Sequence, residues 1–178
     1  KLRWLCNGCA RGGDVFDSGQ TTGRVDLRVQ GGPRELRMWD NRNGLFCGLD
    51  RVSGQLRMGK PFVKVNWMNG FDERGRPMKL ASAASSKEGT FILPGNQGGT
   101  NYYNPSYSPR TGLFYIPTWD NYSSMYVKQA QDFVEGRPFG GCAPVPTTAA
   151  TAVGVLHYLS DVAIHVAMGT VESSTSGR

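Results

Sequence analysis

A pair of carboxylates, a C-x-x-C and an arginine set in a tight turn carry most of the chain's capacity for chemistry. Asp14 and Asp17 stand in a Gly-rich loop. A carboxylate so placed suits general-base work, which needs an oxygen within hydrogen-bond reach of the proton it takes. The same residue types also form Asx turns by bonding the backbone two residues on. Cys6 and Cys9 form the C-x-x-C, a spacing that suits half a zinc site, a redox pair or a disulfide. No second Cys or His pair follows at zinc spacing, and Gly8, Gly12 and Gly13 replace the strand-to-helix setting of a redox motif. A disulfide or two free thiols remain. Arg42, within Asp40-Asn41-Arg42-Asn43-Gly44, is either a solvated turn residue or a fixed positive charge for an anionic group. Asn101 reads as a turn former. Tyr102 and Tyr103 open a tyrosine-rich stretch, to Tyr126, that suits stacking on a sugar or base and equally suits sheet packing.

The charge balance narrows the partners. Twenty Lys and Arg against 14 Asp and Glu give a net charge of +6. The basic residues are scattered singly (Arg24, Arg28, Arg34, Arg37, Arg51, Arg57, Lys60, Lys64) and form no basic run, so no nucleic-acid partner is expected. Residues 147–171 are mostly apolar, but His157, Ser160, Asp161 and His165 interrupt them; no membrane span is expected.

The elements that must position these residues are strands. Glycines (24) and prolines (10) punctuate the chain along most of its length, and the apolar runs between them are short, which is the pattern of an all-β protein. Val25–Val29 alternates as a strand does, and Gly31-Gly32-Pro33 ends it. Glu35–Trp39 reads as the next strand, Asn43-Gly44 as a hairpin turn, and Leu45–Leu49 as the return strand. Residues 50–54 turn the chain again before a strand from Gln55. Helical periodicity is missing up to about residue 120; only Met125–Val134 and Ala149–Val166 have a pattern that supports a helix. A faint repeat links Asn43-Gly44-Leu45-Phe46 with Thr111-Gly112-Leu113-Phe114.

Two blocks carry a resemblance. Arg42-Asn43-Gly44-Leu45-Phe46-Cys47-Gly48-Leu49-Asp50-Arg51-Val52-Ser53-Gly54 resembles the R/K-N-G-x-F-Y-x-L-D-R-x-x-G pattern of the quinoprotein alcohol dehydrogenases, the propeller enzymes that use pyrroloquinoline quinone. Gly98-Gly99-Thr100-Asn101-Tyr102-Tyr103-Asn104-Pro105-Ser106-Tyr107-Ser108-Pro109 is similar to their G-G-x-N-W-x-x-P-S-Y-x-P. Thr111-Gly112-Leu113-Phe114-Tyr115-Ile116-Pro117 follows in family order. The resemblance covers roughly residues 14–141; residues 142–178 diverge from it. It implies an all-β fold, part of an eight-bladed β-propeller of antiparallel four-stranded blades, with a few blades present. The chain is expected to be one part of a longer enzyme, the alternative being a non-catalytic partial propeller that binds or supports.

The resemblance also assigns roles. Gly13-Asp14-Val15-Phe16-Asp17 is similar to the family's G-D-x-W-D, so Asp17 matches the general base and a ligand of the metal. Gly19 stands where lanthanide-type members carry an extra aspartate, which favours Ca²⁺. Arg42 matches the basic residue on the quinone oxygens, Asn101 the amide that hydrogen-bonds the cofactor, and Tyr102 joins them as a cofactor contact. The implied reaction moves hydride from an alcohol to the quinone while the carboxylate takes the hydroxyl proton. A small-molecule alcohol, a cytochrome c as electron acceptor and a periplasmic or secreted setting follow from the same likeness. The family's other metal ligands, the Trp floor beneath the quinone and its adjacent cysteine pair lie earlier in its chain and have no counterpart in this sequence.

Overall fold

The computed structural model describes residues 2–5, 19–29, 32–119, 122–128, 132–137, 142–145, 159–165 and 170–173. Its strands are β1 (Gly23–Val29), β2 (Gly32–Asp40), β3 (Leu45–Asp50), β4 (Leu56–Pro61), β5 (Met68–Phe71), β6 (Pro77–Lys79), β7 (Thr90–Ile92), β8 (Ser106–Ser108), β9 (Leu113–Trp119), β10 (Ser124–Lys128), β11 (Cys142–Val145), β12 (Leu159–His165) and β13 (Thr170–Ser173). A 3-10 turn at Ala81–Ala83 is the one helical element among the described residues. The fold is all-β and antiparallel, with strands where the alternating segments of the first hundred residues place them.

β1 to β4 form an up-and-down, four-stranded sheet in sequence order, the meander of a propeller blade. Its turns explain the residues that mark them. At the β2–β3 turn the Gly44 N–H donates to Asn41 O and the Asn41 N–H to Leu45 O, with Gly44 at φ +89°. This is a tight turn closed by a left-handed glycine, where a Cβ costs energy. At the β3–β4 turn the Asp50 carboxylate accepts from the Val52 and Ser53 N–H groups and the Ser53 hydroxyl, which holds its pKa down at about 2. Arg51 reaches back to Glu35 at 2.7 Å and Asp26 at 3.0 Å, clamping β1 and β2 to the turn. Trp4 covers the Gly54 backbone and donates its indole N–H to Arg51 O. The L-D-R-x-x-G block is thus turn chemistry and sheet clamping.

The remaining strands interleave. β5 pairs with β6; β10 joins β7 and takes β11 on its other edge; β9 pairs with β8 and with β12, which pairs with β13. The strands after residue 141 therefore complete sheets begun earlier. Two expectations are corrected here. Ser124–Lys128 and Leu159–His165 are strands, not parts of helices. Each lies on the edge of an existing strand, β10 on β7 and β12 along all of β9, and that long-range pairing overrides a weak helical period.

Two apolar clusters flank the first sheet. Val25, Leu36, Met38, Phe46, Phe62, Val63, Phe114 and Ile116 fill the space between its one face and β9. Leu45, Cys47, Trp67, Met68, Ala83 and Ile92 fill the other side. The two Phe residues of the repeat meet, with ring centroids 5.2 Å apart and a 48° tilt. Ile116 is fully buried in the first cluster. Ile116→Val is expected to cost about 1 kcal/mol, seen as a lower urea midpoint at unchanged slope.

Candidate functional site

The buried polar side chains are gathered at one end of the fold. Gln20, Asp40, Asn41, Arg42, Asn43, Thr100, Thr118, Ser123 and Ser124 are the buried polar or charged residues among those described. They come from the β2–β3 turn, the 95–101 loop, the end of β9 with the segment after it, and the approach to β1. A polar group is buried at such density only where hydrogen bonds or a ligand satisfy it.

The turn is held from within and from outside. The Asn43 N–H donates to Asn41 Oδ1 and the Leu45 N–H to Asn43 Oδ1. The Trp67 indole donates to Asn43 O at 3.0 Å. Arg42 is joined on three sides: its N–H donates to Gln20 Oε1, its carbonyl accepts from the Gly99 N–H at 2.8 Å, and its Nη2 donates to Asn96 O at 2.6 Å. The loop's asparagine is fixed in turn. Asn96 N–H donates to Ser124 Oγ, and the Ser124 and Tyr122 hydroxyls both donate to Asn96 Oδ1.

Glycine is required where the loop meets the turn. Gly98 has φ +82°, and a Cβ there would lie 2.6 Å from Arg42 O and 2.8 Å from Arg42 Cβ. A Cβ on Gly99 would lie 2.6 Å from Val63 Cγ2 and 3.2 Å from Gly44 Cα. The G-G of one motif and the R-N-G of the other are thus pressed backbone to backbone. Gly99 O then accepts from the Trp119 N–H, and Thr100 Oγ1 donates to Pro117 O, tying both to the end of β9.

Of the residues expected at the site, Arg42 and Asn101 are brought to one assembly. Asn101 Nδ2 donates to Gln97 Oε1 at 3.0 Å, while its Oδ1 is buried with no donor. Tyr102 is 77% exposed and makes none of these bonds. Asp17, with Asp14, Cys6 and Cys9, lies outside the described residues. Gln20 Nε2 and Trp119 Nε1 are buried without an acceptor. Trp119 stands beside Tyr122, ring centroids 6.2 Å apart. The site therefore holds a guanidinium, two unused N–H donors and one unused carbonyl oxygen. That set suits a planar, oxygen-rich ligand bearing negative charge.

The sequence reading missed Asp40, taken there as a turn former. It is fully buried, and loss of water pushes its pKa up to about 7, offset in part by a hydrogen bond from its own backbone N–H. Asn96, Gln20 and Ser124 were also missed; none lies in a pattern that distinguishes it from an ordinary loop polar residue. Among the described residues no group of three His, Cys, Asp or Glu gathers to hold a metal.

No family model matches the chain. Individual proteins do. It is 36% identical over 107 residues to the quinohemoprotein alcohol dehydrogenase of Comamonas testosteroni, covering 59% of this chain and 15% of that one. To the quinohemoprotein alcohol dehydrogenase ADH IIB of Pseudomonas putida it is 33% identical over 129 residues, 72% of this chain and 19% of the relative. Among solved structures, a europium-containing methanol dehydrogenase superposes with a TM-score of 0.70 at 27% identity, covering 85% of this chain and 27% of that one. The chain thus spans less than a fifth of the length of these two curated relatives. Strand pattern, motif geometry and these likenesses agree: the chain is a partial match to the quinoprotein (pyrroloquinoline quinone-dependent) alcohol dehydrogenase family.

Proposed function

We propose that the chain forms part of the cofactor site of an alcohol dehydrogenase that uses pyrroloquinoline quinone. The observation that carries this reading is the buried polar end, where the Arg42 turn is bonded to the Gly99–Asn101 loop. Gln20 Nε2 and Trp119 Nε1, buried without an acceptor, stand with the Arg42 guanidinium and fit the quinone, a flat molecule rimmed with carboxylate and carbonyl oxygens.

When bound, the quinone supplies the two-electron acceptor for the alcohol's hydride. The chain's own residues position and polarise. Arg42 holds the quinone oxygens and offsets the negative charge of the reduced state, which counts for more where water is excluded. Asn101 orients the ring through its free carbonyl oxygen and its amide. Tyr102, exposed on the next residue, joins as a contact from the solvent side. Asp17 is the carboxylate that takes the hydroxyl proton of the substrate on a side-chain oxygen, as its place in the Gly-rich motif implies. Calcium is the cation that goes with this assignment and Asp17 its ligand here; a hard divalent ion needs several more oxygens. The described residues do not by themselves form a cation site. A small alcohol as substrate, a cytochrome c as electron acceptor and a periplasmic or secreted setting complete the proposal.

Calorimetric titration of pyrroloquinoline quinone into the chain tests it. Saturable binding is expected, weakened about tenfold in Arg42→Ala because a charge-assisted contact is lost. Equal affinity in wild type and Arg42→Ala, or no binding in either, would reject the reading and favour a non-catalytic partial propeller.

A further inference from the structure

Arg42 is the one buried cation among the described residues, and how it is held decides what it can do for a ligand. Its Nη2 donates at 2.6 Å to a main-chain oxygen, Asn96 O. That partner brings no opposing charge. It also fixes the guanidinium only as firmly as the carbonyl itself is fixed, because a long side chain keeps its rotamer freedom when its partner moves.

A segment remote in sequence fixes that carbonyl. Asn96 Oδ1 accepts from the Tyr122 hydroxyl and, at 3.1 Å, from the Ser124 hydroxyl, while the Asn96 N–H donates to Ser124 Oγ at 3.0 Å. The Gly95 N–H donates to Tyr122 O at 2.9 Å, and the Gly98 N–H closes the loop on Gly95 O at 2.8 Å. The two backbones are in contact: a Cβ on Gly95 would lie 2.5 Å from the Ser123 carbonyl carbon and 2.7 Å from Ser124 N. Ser124 opens β10 opposite Ile92, the last residue of β7, so one sheet fixes both the start of the loop and its anchor. The ring of Tyr122 meets a second part of the site. It lies 6.2 Å from the ring of Trp119, whose indole N–H is buried without an acceptor.

We propose that Tyr122 is a positioning residue of the cofactor site: its hydroxyl, through Asn96, holds the Arg42 guanidinium in place, and its ring steadies the Trp119 indole. This rests on the quinone reading of the site. A rigid, flat ligand rimmed with oxygens binds best to donors that are already aimed, since binding then need not order them. Because the Tyr122 hydroxyl donates to an amide oxygen and not to the guanidinium's neighbours in charge, it orders Arg42 without offsetting its positive charge.

Tyr122→Phe isolates the link to Asn96, since it keeps the ring against Trp119 and leaves Ser124 on Asn96 Oδ1. Its affinity for pyrroloquinoline quinone, titrated calorimetrically, is expected to fall about fivefold, the effect of one neutral hydrogen bond. In an Arg42→Ala background the same substitution is expected to change nothing, because no guanidinium is left to position. Nitrogen NMR of the free protein adds a readout that a general loss of stability does not move. The Arg42 guanidinium N–H signals, assigned by their absence from Arg42→Ala, are expected to be resolved in wild type and averaged by faster rotation in Tyr122→Phe, with the backbone amide pattern retained. An affinity loss of equal size with and without Arg42, or Arg42 signals unchanged in Tyr122→Phe, overturns the positioning role and leaves the quinone site standing. Absence of quinone binding to wild type overturns both.

Discussion

Gly98→Ala is expected to lower the unfolding free energy by roughly 4 kcal/mol, the sum of a left-handed alanine and a backbone collision. The residue has φ +82°, a region that costs an L side chain about 1 kcal/mol or more. Its new methyl would also stand 2.6 Å from Arg42 O and 2.8 Å from Thr100 O. Neither is the end of a flexible side chain, so the loop or the turn must move. Either movement breaks the 2.8 Å bond from Gly99 N–H to Arg42 O. Gly136→Ala is the control. Gly136 has φ +77° with nothing within 4 Å of a Cβ, so only the conformational cost of about 1 kcal/mol remains. Urea unfolding of the two variants separates strain from collision. Equal losses in both would mean that the loop does not press on the turn.

The second large effect is a pH dependence. Unfolded aspartate loses its proton near 3.8 and Asp40 in the folded chain near 7. Between those values the folded state holds the extra proton, so raising the pH favours unfolding. The contribution is fully present below 3.8, declines by about 1.4 kcal/mol per pH unit, and is gone above 7, a loss of roughly 4 kcal/mol. Asp50 and Asp72 act the other way. Backbone N–H groups lower their pKa values, so their stabilisation is present above 3.8 and is lost as the pH falls through the lowered values. Asp40→Asn should therefore abolish the decline between pH 4 and 7 while keeping the acid limb, as read from urea midpoints at pH 2.5, 4, 5.5 and 7.5. A variant whose stability still declines from pH 4 to 7 would locate that proton elsewhere.

Much of the fold was legible because its signals are local. Asn43-Gly44 marks its turn through backbone geometry at those two positions, and Asp50 and Gly54 do the same at the next turn. Met125 and Leu159 were misread because their structure is imposed from a distance, by β7 and β9. The same division runs through the site. Arg42 and Asn101 were named from the motifs that contain them, whereas Asp40 sits in a string of turn formers and looks like one. It ends β2 on the face that packs against β9, a strand far along the chain, and no local pattern records that placement. Asp17, named from the Gly-rich motif, stands as a proposal.

One strand governs how the molecule comes apart. β3 sends Phe46 to one cluster and Leu45 and Cys47 to the other, and it is hydrogen-bonded on both edges, to β2 and β4. The two apolar halves share this backbone as a common wall. Opening either half strips one side of β3 and leaves its other side chains unsupported, so the halves melt in a single event and not one after the other.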